Sequence, residues 1–153
     1  MAIVLDRTFD VDAGPEAAWG FFTDPERVFP CIPSGRVVER LDERTFQGKL
    51  GFTLGPFGAE FRGKIEFDRL EPDRHLVRMT GEAEDTRRDA RATLEMTSSL
   101  STGEDGGTRV EVVQRIGLAG SLAGMAEGGL ARNTADMLFG RFVACVRKKL
   151  GGR

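Results

Sequence analysis

From Ala131 onward, apolar residues fall at Ala131, Ala135, Leu138, Phe139, Phe142, Cys145 and Val146. Offsets of three and four place them on one stripe of a long helix, with Arg132, Asn133, Asp136 and Arg147 opposite. Most of the chain before this stretch alternates at period two, the signature of strands. One long amphipathic helix that closes a series of strands must lay its stripe on their sheet, because neither element can bury its apolar face alone. This pairing directs the chain to the α+β class.

The strands are legible one by one. Residues 3–11 put Ile3, Leu5, Phe9 and Val11 in one phase, with Arg7 sharing it either at a wet rim or facing a cavity. The turn Asp12-Ala13-Gly14-Pro15 leads into PEAAWGFFTDPERVF, read as two short helices joined by a bend at Thr23-Asp24-Pro25. Strands follow at 37–42, 46–54, 57–67, 75–84, 90–97 and 108–118. The alternation is strictest in 57–67, where Phe57, Ala59, Phe61, Gly63, Ile65 and Phe67 oppose Gly58, Glu60, Arg62, Lys64 and Glu66. Such one-sided strands joined by short turns predict an antiparallel meander with one wet face. With no internal repeat and no linker, residues 1–153 read as one domain.

With 40% hydrophobic and 30% charged residues, the composition suits a soluble globular chain. Lys and Arg number 22 against 24 Asp and Glu, so no basic footprint points to nucleic acid. The start, MAIVLDRTFD, is too short an apolar run for a signal peptide, and no segment has the length of a membrane span. A cytoplasmic location is the expectation. Cys31 and Cys145 lie too far apart for a metal-spaced cluster, and their usage disfavours a disulfide. Cys145 is expected to act as a small buried hydrophobe on the helix stripe.

The inward phase of the strands mixes Phe46, Phe52, Phe57, Phe61, Phe67, Met79 and Met96 with Gly48, Ala59, Gly63, Gly81, Ala83, Ala90 and Ala92. Two readings stand. Large and small side chains interdigitate in a solid core, whereas a strongly curved, glycine-rich sheet leaves an apolar cavity under the helix. Gln114 is the one amide in an inward strand phase, so it needs a structural partner, water or a ligand. The helix stripe breaks at Gly128-Gly129, which marks 120–129 as a separate piece. Its Leu122 and Met125 are the residues expected to form a lid, to pack on the short helices, or to touch a partner or membrane surface.

No catalytic apparatus is visible. The sole histidine, His75, opens a strand and should be exposed. Neither a P-loop nor a dinucleotide glycine pattern occurs, nor a GxSxG nucleophile motif, and no cofactor is expected. Glu60/Glu66 and Glu82/Glu84 share polar strand phases and read as solvated faces. The run DTRRDAR (85–91) is a mixed charge patch near a turn.

The run FDVDAGPEAAWGFFTDPERVFPCIPSG resembles the opening of the carbon monoxide dehydrogenase G-subunit family, with a Pro-Glu-x-x-Trp helix, an Asp-Pro-Glu bend and a Cys-Ile-Pro exit. GPFGAEFRGKIEFDRLEP and GLAGSLAGMAEGGLARNTADMLFGRF are similar to later parts of that family. The wider group is the START-like, helix-grip superfamily of polyketide cyclases and birch pollen allergens. The resemblance implies a curved seven-stranded antiparallel sheet wrapped around the long C-terminal helix, with two short helices after the first strand. It also implies an accessory role to a molybdenum-containing carbon monoxide dehydrogenase or related hydroxylase, at the membrane or beside the quinone pool. The chain stops at Gly151-Gly152-Arg153, where some relatives continue into a tail, so peripheral membrane contact is expected without an anchor.

The functional expectation is a non-enzymatic protein that holds a lipid- or quinone-like molecule. Trp19, Phe22, Phe52, Phe61, Met79, Met96, Leu138 and Phe142 would supply apolar contact, and Gln114 would orient a polar end. The alternatives are a cyclase- or hydrolase-type enzyme using the same cavity, which needs an acid or base inside, and a ligand-free assembly factor.

Overall fold

The computed structural model describes residues 2–31, 36–54, 57–85, 87, 89–121, 123 and 129–151, and for 2, 36, 50–54, 57–59, 130 and 131 the backbone only. Strand β1 (Ala2–Val11) leads to helices α1 (Pro15–Phe22) and α2 (Pro25–Val28), then a 3-10 turn at Phe29–Cys31. Strands β2 (Arg36–Arg40), β3 (Thr45–Leu54), β4 (Phe57–Glu71), β5 (Leu76–Asp85), β6 (Ala90–Thr102) and β7 (Thr108–Gly120) follow, and helix α3 (Gly129–Leu150) comes last. The seven strands form one antiparallel sheet in the order β1-β7-β6-β5-β4-β3-β2. It is a meander from β2 to β7, closed by β1 alongside β7.

The local signals act as their chemistry requires. Pro15 and Pro25 each occupy a first helical turn, where a missing N–H costs nothing. Asp24 caps α2 by accepting from the Glu26 amide at 3.1 Å, and the Thr23 hydroxyl donates back to the Trp19 carbonyl at 2.7 Å. Ala18, Phe21, Phe22, Val28 and Phe29 are buried, so the short helices cap the core instead of standing off it.

Two features curve the sheet. Register shifts between Val37 and Glu39 and between Phe67 and Arg69 mark bulges that bend and twist their strands. At Gly63 the strands approach so closely that a Cβ would lie 1.8 Å from the Glu82 carbonyl oxygen. Only glycine fits there.

Helix α3 is fixed most firmly at its C-terminal end. The amides of Asp12 and Ala13 donate to the carbonyls of Gly151 and Leu150, each at 3.0 Å, and Arg147 Nε donates to the Asp10 carbonyl at 3.0 Å. Gly151, at φ +84°, ends the helix in the left-handed conformation that glycine tolerates best. Arg147, Lys148 and Lys149 place positive charge at the negative end of the helix dipole.

Three details differ from the sequence reading. Cys31 and Cys145 are joined in a disulfide, with Cα atoms 5.3 Å apart, so Cys145 is a cross-link and not a free buried hydrophobe. The 3-10 turn packs against the face of α3 on which position 145 falls, a proximity that no local spacing in the chain announces. His75 is half-buried: its ring packs 5.6 Å from the Trp19 ring, and its Nε2 lies 3.1 Å from Glu16 Oε1. Strands β4 and β6 run on to Glu71 and Thr102, past the expected ends at 67 and 97; in β6, Ser98 and Leu100 continue the buried phase.

Candidate ligand cavity

A cavity of about 270 Å³ lies between the concave face of the sheet and α3. That is near the lower end of the roughly 300–1,000 Å³ usual for small-molecule sites. The sheet supplies Phe61, Met79, Met96, Gln114 and Ile116, α2 and the 3-10 turn supply Val28 and Phe29, and α3 supplies Thr134, Ala135, Leu138, Phe139 and Phe142.

Its origin lies in the strand sequences. Gly48, Gly63, Gly81, Ala83 and Ala92 occupy inward positions on four consecutive strands and all border the cavity. Where they stand, the sheet presents little but backbone, and the large side chains around them cannot reach in to replace the missing volume. Lys49, Lys64, Glu82 and Thr93 also border the cavity. They alternate with these small residues, so their side chains belong to the opposite, outer phase of the pleat; Lys64, Glu82 and Thr93 are exposed.

Six of the residues expected at the site stand together on the cavity wall: Phe61, Met79, Met96, Gln114, Leu138 and Phe142. Phe22 and Trp19 do not. Phe22 is buried behind the wall, its ring centroid 6.4 Å from that of Phe142, and Trp19 turns away to meet His75. The reason is the helical phase of α1, which sends Phe22 into the core and leaves Trp19 on its flank. The side chain of Phe52, and Leu122 and Met125 of the expected lid, lie outside the described residues. Arg7 stands at the rim, half-exposed and paired with Asp136 of α3.

Thr134 is the residue that sequence reasoning passed over. It is 9% exposed and lines the cavity from α3. Its signal was present, four residues before Leu138 and eight before Phe142 on the same helical track. Gln114 donates from Nε2 to the Met96 sulfur at 3.3 Å, a weak acceptor.

Charge gathers elsewhere. Asp85 is buried at the end of β5, where its carboxylate accepts from the amides of Glu60 and Arg87 at 3.0 and 3.1 Å, a fastening of the strand ends. Asp42, in the exposed β2–β3 turn, has its carboxyl held below the ordinary range, chiefly by the Arg44 amide. Among the described residues no cluster of three or more His, Cys, Asp or Glu side chains could hold a metal ion. Nor is any helix among them long and apolar enough to cross a membrane.

A curved antiparallel sheet gripping a C-terminal helix over an apolar cavity defines the START-like class. Solved structures agree on the fold. A conserved protein from Geobacillus kaustophilus superposes with a TM-score of 0.83 at 16% identity, covering 97% of this chain and 95% of its own. The ZhuI aromatase/cyclase from Streptomyces sp. R1128 gives 0.67 at 12% identity, over 98% and 94%. A START superfamily protein from Mycobacterium smegmatis gives 0.62 at 12% identity, over 96% of each chain. Comparison with curated protein sequences gave no match. Within this class the chain belongs to the carbon monoxide dehydrogenase G-subunit (CoxG) family, whose sequence model matches residues 8–151.

Proposed function

We propose that this protein binds one apolar or amphipathic small molecule, lipid- or quinone-like, in the cavity under α3, as a non-enzymatic accessory to a carbon monoxide dehydrogenase-type molybdenum enzyme. The observation that carries the reading is the cavity wall itself, where the inward side chains among the described residues are apolar except for Gln114 and Thr134. Each 100 Å² of ligand surface it takes from water contributes about 2.5 kcal/mol before the cost of association. The family name supports the link to carbon monoxide dehydrogenase. A cytoplasmic protein in peripheral contact with the membrane would suit a carrier between a soluble enzyme and a bilayer-dissolved molecule.

The cyclase-type reading draws on the likeness to an aromatase/cyclase. It needs a group that gives or takes a proton at the cavity; the Gln114 amide and the Thr134 hydroxyl on its wall do neither near neutral pH, and Arg7 stands at the rim paired with Asp136. Native mass spectrometry of the protein incubated with a total lipid extract tests the binding reading. One apolar adduct per chain is expected, displaced when Leu138→Trp fills the cavity. Protein that takes up nothing from the extract refutes it.

A further inference from the structure

We infer that the cavity selects ligands whose polar end is an uncharged oxygen, a hydroxyl or a carbonyl, held by Thr134 and Gln114, and that it rejects anionic head groups. The inference rests on the ligand-binding reading above and narrows it.

Thr134 is nine-tenths buried on the cavity wall, and its hydroxyl has no hydrogen-bond partner among the described residues. A threonine within a helix commonly donates to the carbonyl four residues earlier; Thr134 makes no such bond among the described residues. Gln114 faces the same cavity from β7. Its Nε2 meets only a thioether, and its carbonyl oxygen meets no donor among the described residues. Both groups therefore present hydrogen-bonding capacity to the cavity that a ligand in it can complete.

Together they offer donors and acceptors and no charge. An alcohol O–H donates to the Gln114 carbonyl, or the alcohol oxygen accepts from Nε2 or the Thr134 hydroxyl, and a ketone oxygen accepts from either donor. Arg7, the cation that shares an inward strand phase, stands at the rim and is already paired with Asp136, so a carboxylate or phosphate drawn inside finds no free compensating cation among the described residues. The lysines that border the cavity, Lys49 and Lys64, belong to the outer phase of their strands. An anionic head drawn inside would stay unpaired.

The test is displacement of Nile red by decane, decan-1-ol, decan-2-one and decanoate at pH 8, with wild type, Gln114→Leu and Thr134→Val. The alcohol or the ketone should bind about three- to tenfold tighter than decane, the gain of one neutral hydrogen bond. Decanoate should bind at least about tenfold more weakly than the alcohol. Each substitution should reduce or abolish the gain, taken as the ratio of alcohol or ketone affinity to decane affinity within the same variant, and decane binding to that variant shows that its cavity is intact. The alcohol and ketone arms tell a hydroxyl from a carbonyl. Decanoate binding as tightly as the alcohol overturns the inference, as does a gain that survives both substitutions or no gain over decane. If neither the dye nor any probe binds, it is the ligand-binding reading that fails, and this inference falls with it.

Discussion

Breaking the Cys31–Cys145 disulfide should cost this protein a large part of its stability. The bond spans a sequence separation of 114, so it closes about three quarters of the 153-residue chain into one loop. In the chain-entropy account, a cross-link over a loop of that length removes about 5 kcal/mol of conformational freedom from the unfolded state. Domains of ordinary stability total about 5–15 kcal/mol, so the reduced protein should be marginal. Urea unfolding monitored by Trp19 fluorescence, with and without a phosphine reductant, measures the difference. With a slope near 2 kcal/mol per molar urea, the midpoint should fall by about 2.5 M on reduction. Cys31→Ala/Cys145→Ala should fall slightly further, because it also removes sulfur from a buried cluster. The backbone bonds from Ala13 and Asp12 to the end of α3 remain in both cases, so the transition should stay cooperative. A reduced protein whose midpoint lies within about 0.3 M of the oxidised one would refute the reasoning, since the predicted shift is several times larger.

Three smaller perturbations probe other parts of the fold. Gly63→Ala should destabilise by about 2 kcal/mol or more, since its Cβ would force β5 away from β4; a melting temperature unchanged by this substitution would contradict the close approach. Gly140→Ala should stabilise by about 0.5–1 kcal/mol, because Gly140 sits exposed within α3 with nothing within 4 Å of a new Cβ, and a loss of stability would show that the helix needs that glycine. Thr108→Val should cost about 1–2 kcal/mol in denaturant unfolding, because the buried Thr108 hydroxyl donates to the Ala13 carbonyl at 2.7 Å, and no cost would mean that water serves Ala13 equally well.

The strands were legible because period-two alternation is a local property, and α3 because its stripe repeats every three or four residues. In β4 the residues Phe61, Ile65 and Phe67 fall inward as their phase requires. Where local pattern ended, legibility ended with it. Trp19 and Phe22 sit three residues apart in a crowded apolar run, and only the docking of α1 decides that neither reaches the cavity. The disulfide depends on the packing of a short turn against a distant helix, and two isolated cysteines carry no trace of that. Thr134 was hidden by its chemistry: a lone threonine beside an apolar stripe looks like the stripe's edge until the neighbouring strands leave space in front of it.

The sheet order also bears on how the chain matures during synthesis. The first strand pairs with the last, Ala2 opposite Gly117 and Val11 opposite Thr108, so β1 waits for almost the entire polypeptide before it has its neighbour. Cys31 waits longer still, since Cys145 is made only after every strand. Until Cys145 is made, Cys31 has no partner in this sequence with which to form an internal bond. The bond can therefore close only after the residues of every described strand have been synthesised, and once closed it ties the turn after α2 to the last helix and resists their separation.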